Sequence, residues 1–118
     1  MKYIFAFALM LCVSVTFAQE KRTLTHNKDT NLIDVVYYHD NGQISQTGSY
    51  TLDGKVQGVW NKYDAEGTKL VSAVYEKGEK TGKWFFWDKD VLREVDYQNN
   101  DIASVNEWTN KAAIAVRD

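Results

Sequence analysis

The aromatic residues of this chain recur at one period. The tryptophans Trp60, Trp84 and Trp108 are 24 residues apart. Tyr38, Tyr63 and Trp87 are spaced 25 and 24, and Tyr50, Tyr75 and Tyr97 are spaced 25 and 22. Three aromatic registers at one period mean copies of a single supersecondary unit. Each copy is too small to bury its own apolar face and must stack on the next. The period therefore fixes an array, with units at 37–60, 63–84 and 87–108.

Within a unit the pattern is that of a β-hairpin. Ile44, Gln46, Gly48, Tyr50 and Leu52 alternate with Ser45, Thr47 and Ser49, and Val91, Arg93, Val95 and Tyr97 alternate with Leu92, Glu94 and Asp96. A period of two over such runs marks a half-buried strand. Asp40-Asn41-Gly42 and Ala65-Glu66-Gly67 read as reversals between strands. A second reversal follows each mid-unit tyrosine, at Asp53-Gly54, Lys77-Gly78 and Asn99-Asn100. Glycine and asparagine are the residues that tolerate the positive φ of tight turns. The expected fold is all-β, an elongated antiparallel sheet of successive hairpins.

Small residues hold matching places. Gly48 and Ala73 precede the mid-unit tyrosine by two, and Gly58 and Gly82 precede the closing tryptophan by two. Residues two apart share a face, so these positions are expected to let a large ring from a neighbouring strand lie across the backbone. The third unit has Val95 and Asn106 instead, as expected of an atypical terminal copy.

These units resemble MORN repeats in their short bacterial variant. Tyr37-Tyr38-His39-Asp40-Asn41-Gly42-Gln43-Ile44, Gly48-Ser49-Tyr50 and Asp53-Gly54-Lys55-Val56-Gln57-Gly58-Val59-Trp60 carry the likeness. It continues in Gly67, Leu70, Tyr75, Lys77-Gly78 and Gly82-Lys83-Trp84, and decays to Tyr97 and Trp108 in the third unit. The resemblance implies an elongated sheet of hairpins and an association with protein or phospholipid binding. Bacterial proteins of this type are often labelled YwqK-type antitoxins.

The flanks differ from the repeats. Fifteen of the first 18 residues are hydrophobic, and the only charge among them is Lys2. Lys2, the apolar run Tyr3–Val13, and Thr16 and Ala18 before Gln19 make the three parts of a secretory signal. Cleavage after Ala18 is expected, with export to the periplasm or beyond. Cys12, the only cysteine, then leaves with the signal. Residues 19–31 read as a polar N-terminal arm, and the repeat domain as 32–118, with Leu32–His39 starting the sheet. Ala112–Val116 suits a last strand or a short helix.

The chain offers little for catalysis. With 14 basic against 16 acidic residues it lacks the surplus that phosphate neutralisation requires, which argues against nucleic acid as a partner. Lysines at the turns and strand edges, interleaved with glutamates, suit edge protection better than anion binding. Membrane association is therefore not supported by charge. His26 and His39 accompany no nucleophile motif. Asp88, Asp90, Glu94 and Asp96 lack the glycine and twelfth-position glutamate of a calcium loop. No cofactor, metal or catalytic residue is expected.

The run Trp84-Phe85-Phe86-Trp87 is the exception to simple core logic. Alternation sends Trp84 and Phe86 to one face, and Phe85 and Trp87 to the other. Tyr37 and Tyr38 pose the same question one unit earlier. Either the second face is covered, by the arm, the chain end or a second copy, or aromatics lie exposed there as a contact site. Tyr37, Phe85 and Trp87 are the expected binding residues. Gly42, Gly48, Tyr50, Gly58, Trp60, Gly67, Tyr75, Gly82, Trp84, Tyr97 and Trp108 are expected to be structural. The sequence favours a non-enzymatic exported module that binds a protein or an envelope surface. Its alternatives are a self-assembling accessory protein and an antitoxin-like protein.

Overall fold

A computed structural model describes residues 21–109. The signal segment and Ala112–Val116 lie outside the described residues. The chain forms β1 (Arg22–Asn27), β2 (Leu32–Tyr38), β3 (Ile44–Tyr50), β4 (Val56–Tyr63), β5 (Lys69–Glu76), β6 (Glu79–Lys80), β7 (Gly82–Asp88), β8 (Val91–Gln98) and β9 (Asp101–Thr109). Every pairing is antiparallel, and the order across the sheet is β1-β2-β3-β4-β5-β7-β8-β9, with β6 continuing the hairpin from β5. The expected all-β array of successive hairpins is the observed fold.

The sheet starts earlier than the sequence suggested. Residues 22–27, read as part of a polar arm, form the first strand and pair with β2 from Arg22↔Tyr37 to Asn27↔Leu32. Polarity concealed this strand, whose side chains are mostly exposed. The turn after it is held by Asn27, whose Oδ1 accepts the N–H groups of Asp29 and Thr30 at 3.0 and 3.3 Å. Asn31 closes the turn with φ at 57°.

The core is a single row of side chains running across the strands. Val35 pairs with Gly48, Trp60 with Ala73, and Trp84 with Val95. Gly48 in turn lies under the Trp60 indole: a methyl group placed on it would fall inside the ring. The row thus alternates small and large, and Val35, Trp60, Ala73, Trp84 and Val95 form one buried cluster. Each of the two indoles donates its Nε1–H to a backbone carbonyl one residue beyond the small position, Trp60 to Ser49 at 3.1 Å and Trp84 to Val74 at 2.9 Å. The mid-unit tyrosines pack against them, Tyr50 and Tyr75 edge-on and Tyr97 tilted. Tyr50 lies 5.1 Å from Trp60, Tyr75 5.1 Å from Trp84, and Tyr97 5.0 Å from Trp84. Burial of each indole removes roughly 150–250 Å² from water, on the order of 5 kcal/mol of gross stabilisation at about 25 cal/mol per Å².

Gly58 and Gly82 serve a different purpose from the one expected of them. Neither lies beneath a ring: space beside Gly58 is open, and the nearest contact to a methyl on Gly82 would be Val74 at 3.6 Å. They adopt φ of 73° and 66°. Ser49 pairs with Gln57 but Thr47 with Asn61, so Gly58 and Val59 are extra residues in the ladder. The same two-residue shift separates the Tyr75↔Lys80 pair from Ser72↔Phe85 around Gly82. These glycines make the bulge that delivers the next tryptophan onto its small partner.

The hairpin ends stack at the repeat distance. Asn41 Nδ2 donates to the Ala65 carbonyl at 2.9 Å, and His39 Nε2 lies 3.0 Å from the Tyr63 carbonyl. Both contacts join residues 24 apart in sequence. The two-residue turns at Lys77-Gly78 and Asn99-Asn100 have positive φ at both positions, as the expected tight reversals require.

Candidate functional site

The residues expected to bind do not share a surface. Tyr37 lies on the core face, where its hydroxyl meets that of Tyr50 at 2.9 Å and its ring packs against the main cluster. Burial, and then the hydrogen bond to Tyr37, push the Tyr50 phenol up to about 12. Tyr37 is therefore a core-face residue. Phe85 and Trp87 do lie on the opposite face, stacked at 5.9 Å with their planes 24° apart. Leu92 completes a second cluster with them.

Trp108, expected to close the third unit as Trp60 and Trp84 close theirs, also stands on this second face. It pairs with Leu92, and Leu92 pairs with Trp87. Paired residues share a face, so Trp87, Leu92 and Trp108 form one transverse row. The cause is the ladder. Tyr97 pairs with Ile102 but Asp96 with Ser104, so the extra residue is Ala103 alone. A two-residue shift preserves the face of everything after it; a one-residue shift reverses it. Trp108 is 41% exposed, whereas Trp87 is 7% exposed and Leu92 2%. The accessible part of the patch consists of Phe85 and Trp108, with Trp87 and Leu92 as its floor.

Toward β2–β5 this face is mixed, with Val36, Val59 and Val74 set among short polar side chains. Asp34, Ser49, Thr47, Asn61 and Ser72 occupy it by register. Asp34 accepts hydrogen bonds from Ser49 Oγ at 2.7 Å and Asn27 Nδ2 at 3.1 Å, and these hold its carboxyl below the usual range. Beside the aromatic patch, Lys83 Nζ meets Glu94 Oε1 at 2.9 Å. Glu94 first, and Asp96 behind it, raise the lysine's pKa. Two of the four acidic residues considered for calcium are thus turned toward Lys83. Asp88 and Asp90 flank the β7–β8 turn. Among the described residues there is no group of three or more His, Cys, Asp or Glu side chains placed to hold a metal.

The core face carries its own polar rim. Lys80 Nζ sits 5.2 Å from the ring centres of both Trp84 and Tyr97, a cation–π contact to each. A cleft of about 300 Å³ opens among Gln43, Ile44, Thr47, Tyr63 and Gly67. His26 and His39 are taken up in local contacts, with Asn31 Oδ1 at 3.1 Å and the Tyr63 carbonyl respectively. No helix of the described residues is long and apolar enough to cross a membrane.

Alternation within the strand was enough to place Phe85 and Trp87 opposite Trp84. It was not enough to find Trp108, since the length of a bulge carries no hydrophobic signature. The one available clue was Asn106 in the place that glycine holds in the other units. Comparison with known proteins adds no relative: no family model, no curated protein and no solved structure matches this chain.

Proposed function

We propose that this chain is an exported, non-enzymatic module of MORN-like repeats that binds another protein of the cell envelope through the second face of its sheet. The observation that carries this reading is the gathering of Phe85, Trp87, Leu92 and Trp108 at one end of the face opposite the core row. The core row on the other side already buries Trp60 and Trp84, so fold stability does not call for a second set. Clustered aromatic side chains at a surface supply large contact area at small entropic cost, the usual makeup of a binding hot spot. The Lys83–Glu94 pair at the border gives the patch a polar rim.

The test compares the purified chain with Phe85→Ser, Trp108→Ser and the control Leu52→Ser in the β3–β4 turn, using envelope extract as the source of a protein partner and anionic vesicles as the lipid arm. Loss of a specific protein partner with the first two substitutions, and its retention with the control, is the expected result. Equal capture by all four proteins overturns the reading, and pelleting with vesicles in place of a protein partner replaces it with a lipid surface.

A further inference from the structure

The two ends of the described sheet are strand edges, and they match each other. The ordered path holds eight strands, all antiparallel to their neighbours, so β1 and β9 run in opposite directions. A β1 strand laid against the outer edge of β9 from a second copy would therefore continue the antiparallel ladder without reversal. The core row also ends unfinished on both sides. Leu24 pairs with Val35 at one end, and Val105 with Val95 at the other. These terminal members are 52% and 53% exposed, while their partners Val35 and Val95 are buried.

Charge divides the two edges in the same sense. From Lys21 to Lys28 the chain carries Lys21, Arg22 and Lys28 and no acid; from Asp101 to Thr109 it carries Asp101 and Glu107 and no base. We infer that copies of this chain join edge to edge, β1 of one against β9 of the next, with Leu24 opposite Val105. That single register also sets Arg22 opposite Glu107, Thr23 opposite Asn106 and Thr25 opposite Ser104. One hydrophobic match thus brings a charge pair and two polar pairs into place, with no like charges facing. Cross-strand pairs of these kinds are the unit of sheet stabilisation. Glu107, already 3.0 Å from Arg93 Nη2 within its own chain, would lie between two guanidinium groups. The contact uses a different surface on each copy, so each dimer keeps one edge of each kind for further copies, giving an array or a closed ring. It is independent of the aromatic patch on the second face.

The experiment uses the full-length chain carrying Cys12→Ser, with one new cysteine per variant. Thr23→Cys and Asn106→Cys are exposed positions, and far-UV spectra check that each variant folds. On oxidation of the mixture, Thr23–Asn106 cross-linked dimers should exceed both self-linked products. The chain bearing both cysteines should give a ladder of dimers, trimers and longer species. Predominant self-linking, or a monomer by light scattering at every concentration, overturns the inference. A second arm reverses charge: Arg22→Glu, or Glu107→Lys, should each weaken self-association about threefold to tenfold. Mixing the two variants should restore pairing; unchanged association of either variant alone rejects this register.

Discussion

Trp60 and Trp84 differ from Trp108 in everything but their spacing. The first two sink into the core row, with their ring nitrogens bonded to the neighbouring strand. The third, 24 residues further on, lies partly exposed on the opposite face. The difference shows that period alone does not assign a residue to a face. Placement takes a small residue to lie against, Gly48 or Ala73, and a bulge of the right length to reach it. The third unit has Val95 where the small residue would be and Ala103 as its single bulged residue.

The largest expected effect tests this contrast. Trp60→Ala or Trp84→Ala should cost about 3–5 kcal/mol, the range for removing a buried aromatic side chain. Trp108→Ala should cost less than about 1 kcal/mol, as for a partly exposed residue outside the core. Urea unfolding followed by circular dichroism measures all three. Similar losses for Trp108 and Trp60 would restore it to the core and break the comparison.

Much of this arrangement was legible in the residues. Hairpin order, the turns, and the division of Trp84-Phe85-Phe86-Trp87 between faces all follow from a period of two punctuated by Gly and Asn. What was not legible depended on features without a hydrophobic pattern. β1 is polar because its side chains are exposed at an edge, so Arg22–Asn27 looked like an arm. Tyr37 resembled a second-face candidate, but its hydroxyl meets that of Tyr50 on the core face. Gly58 and Gly48 looked alike as small residues, yet one serves backbone conformation and the other side-chain clearance.

That last distinction gives a prediction of intermediate size. Gly48→Ala forces a methyl into the Trp60 ring and should cost about 1–3 kcal/mol through overpacking. Gly58→Ala meets no atom but holds an L-residue at positive φ, which costs roughly 1–2 kcal/mol. Asparagine separates the two causes. Gly58→Asn should recover most of the loss, because asparagine accepts this conformation, while Gly48→Asn should be worse than Gly48→Ala. Thermal unfolding of the four variants checks it. Recovery at both sites, or at neither, would show that backbone and clearance roles are not separated as the structure has them.

The smallest effect compares the two faces at alkaline pH. On the core face, Tyr50 is raised from the usual value near 10 to about 12, by burial and then by Tyr37. The folded chain therefore keeps a proton that the unfolded chain releases. Stability from this group is full below about pH 10, declines as pH rises toward about 12, and changes no further beyond it. On the second face, Lys83 is also raised, by Glu94 and then Asp96, so its contribution is present below the ordinary lysine range and is lost as pH rises through its folded value. The sign is the same, but the causes differ. The Lys83–Glu94 attraction is exposed to solvent on the lysine side and should fade with salt. The phenol shift originates chiefly in burial and should persist. Stability measured from pH 9 to 12 should thus fall less steeply in Tyr37→Phe at any ionic strength. Glu94→Gln should change the slope at low salt and leave it unchanged at high salt. A Tyr37→Phe slope equal to that of the parent chain would remove the Tyr37–Tyr50 contact from the alkaline response and leave that response to phenol burial on the core face and the charged rim of the second face.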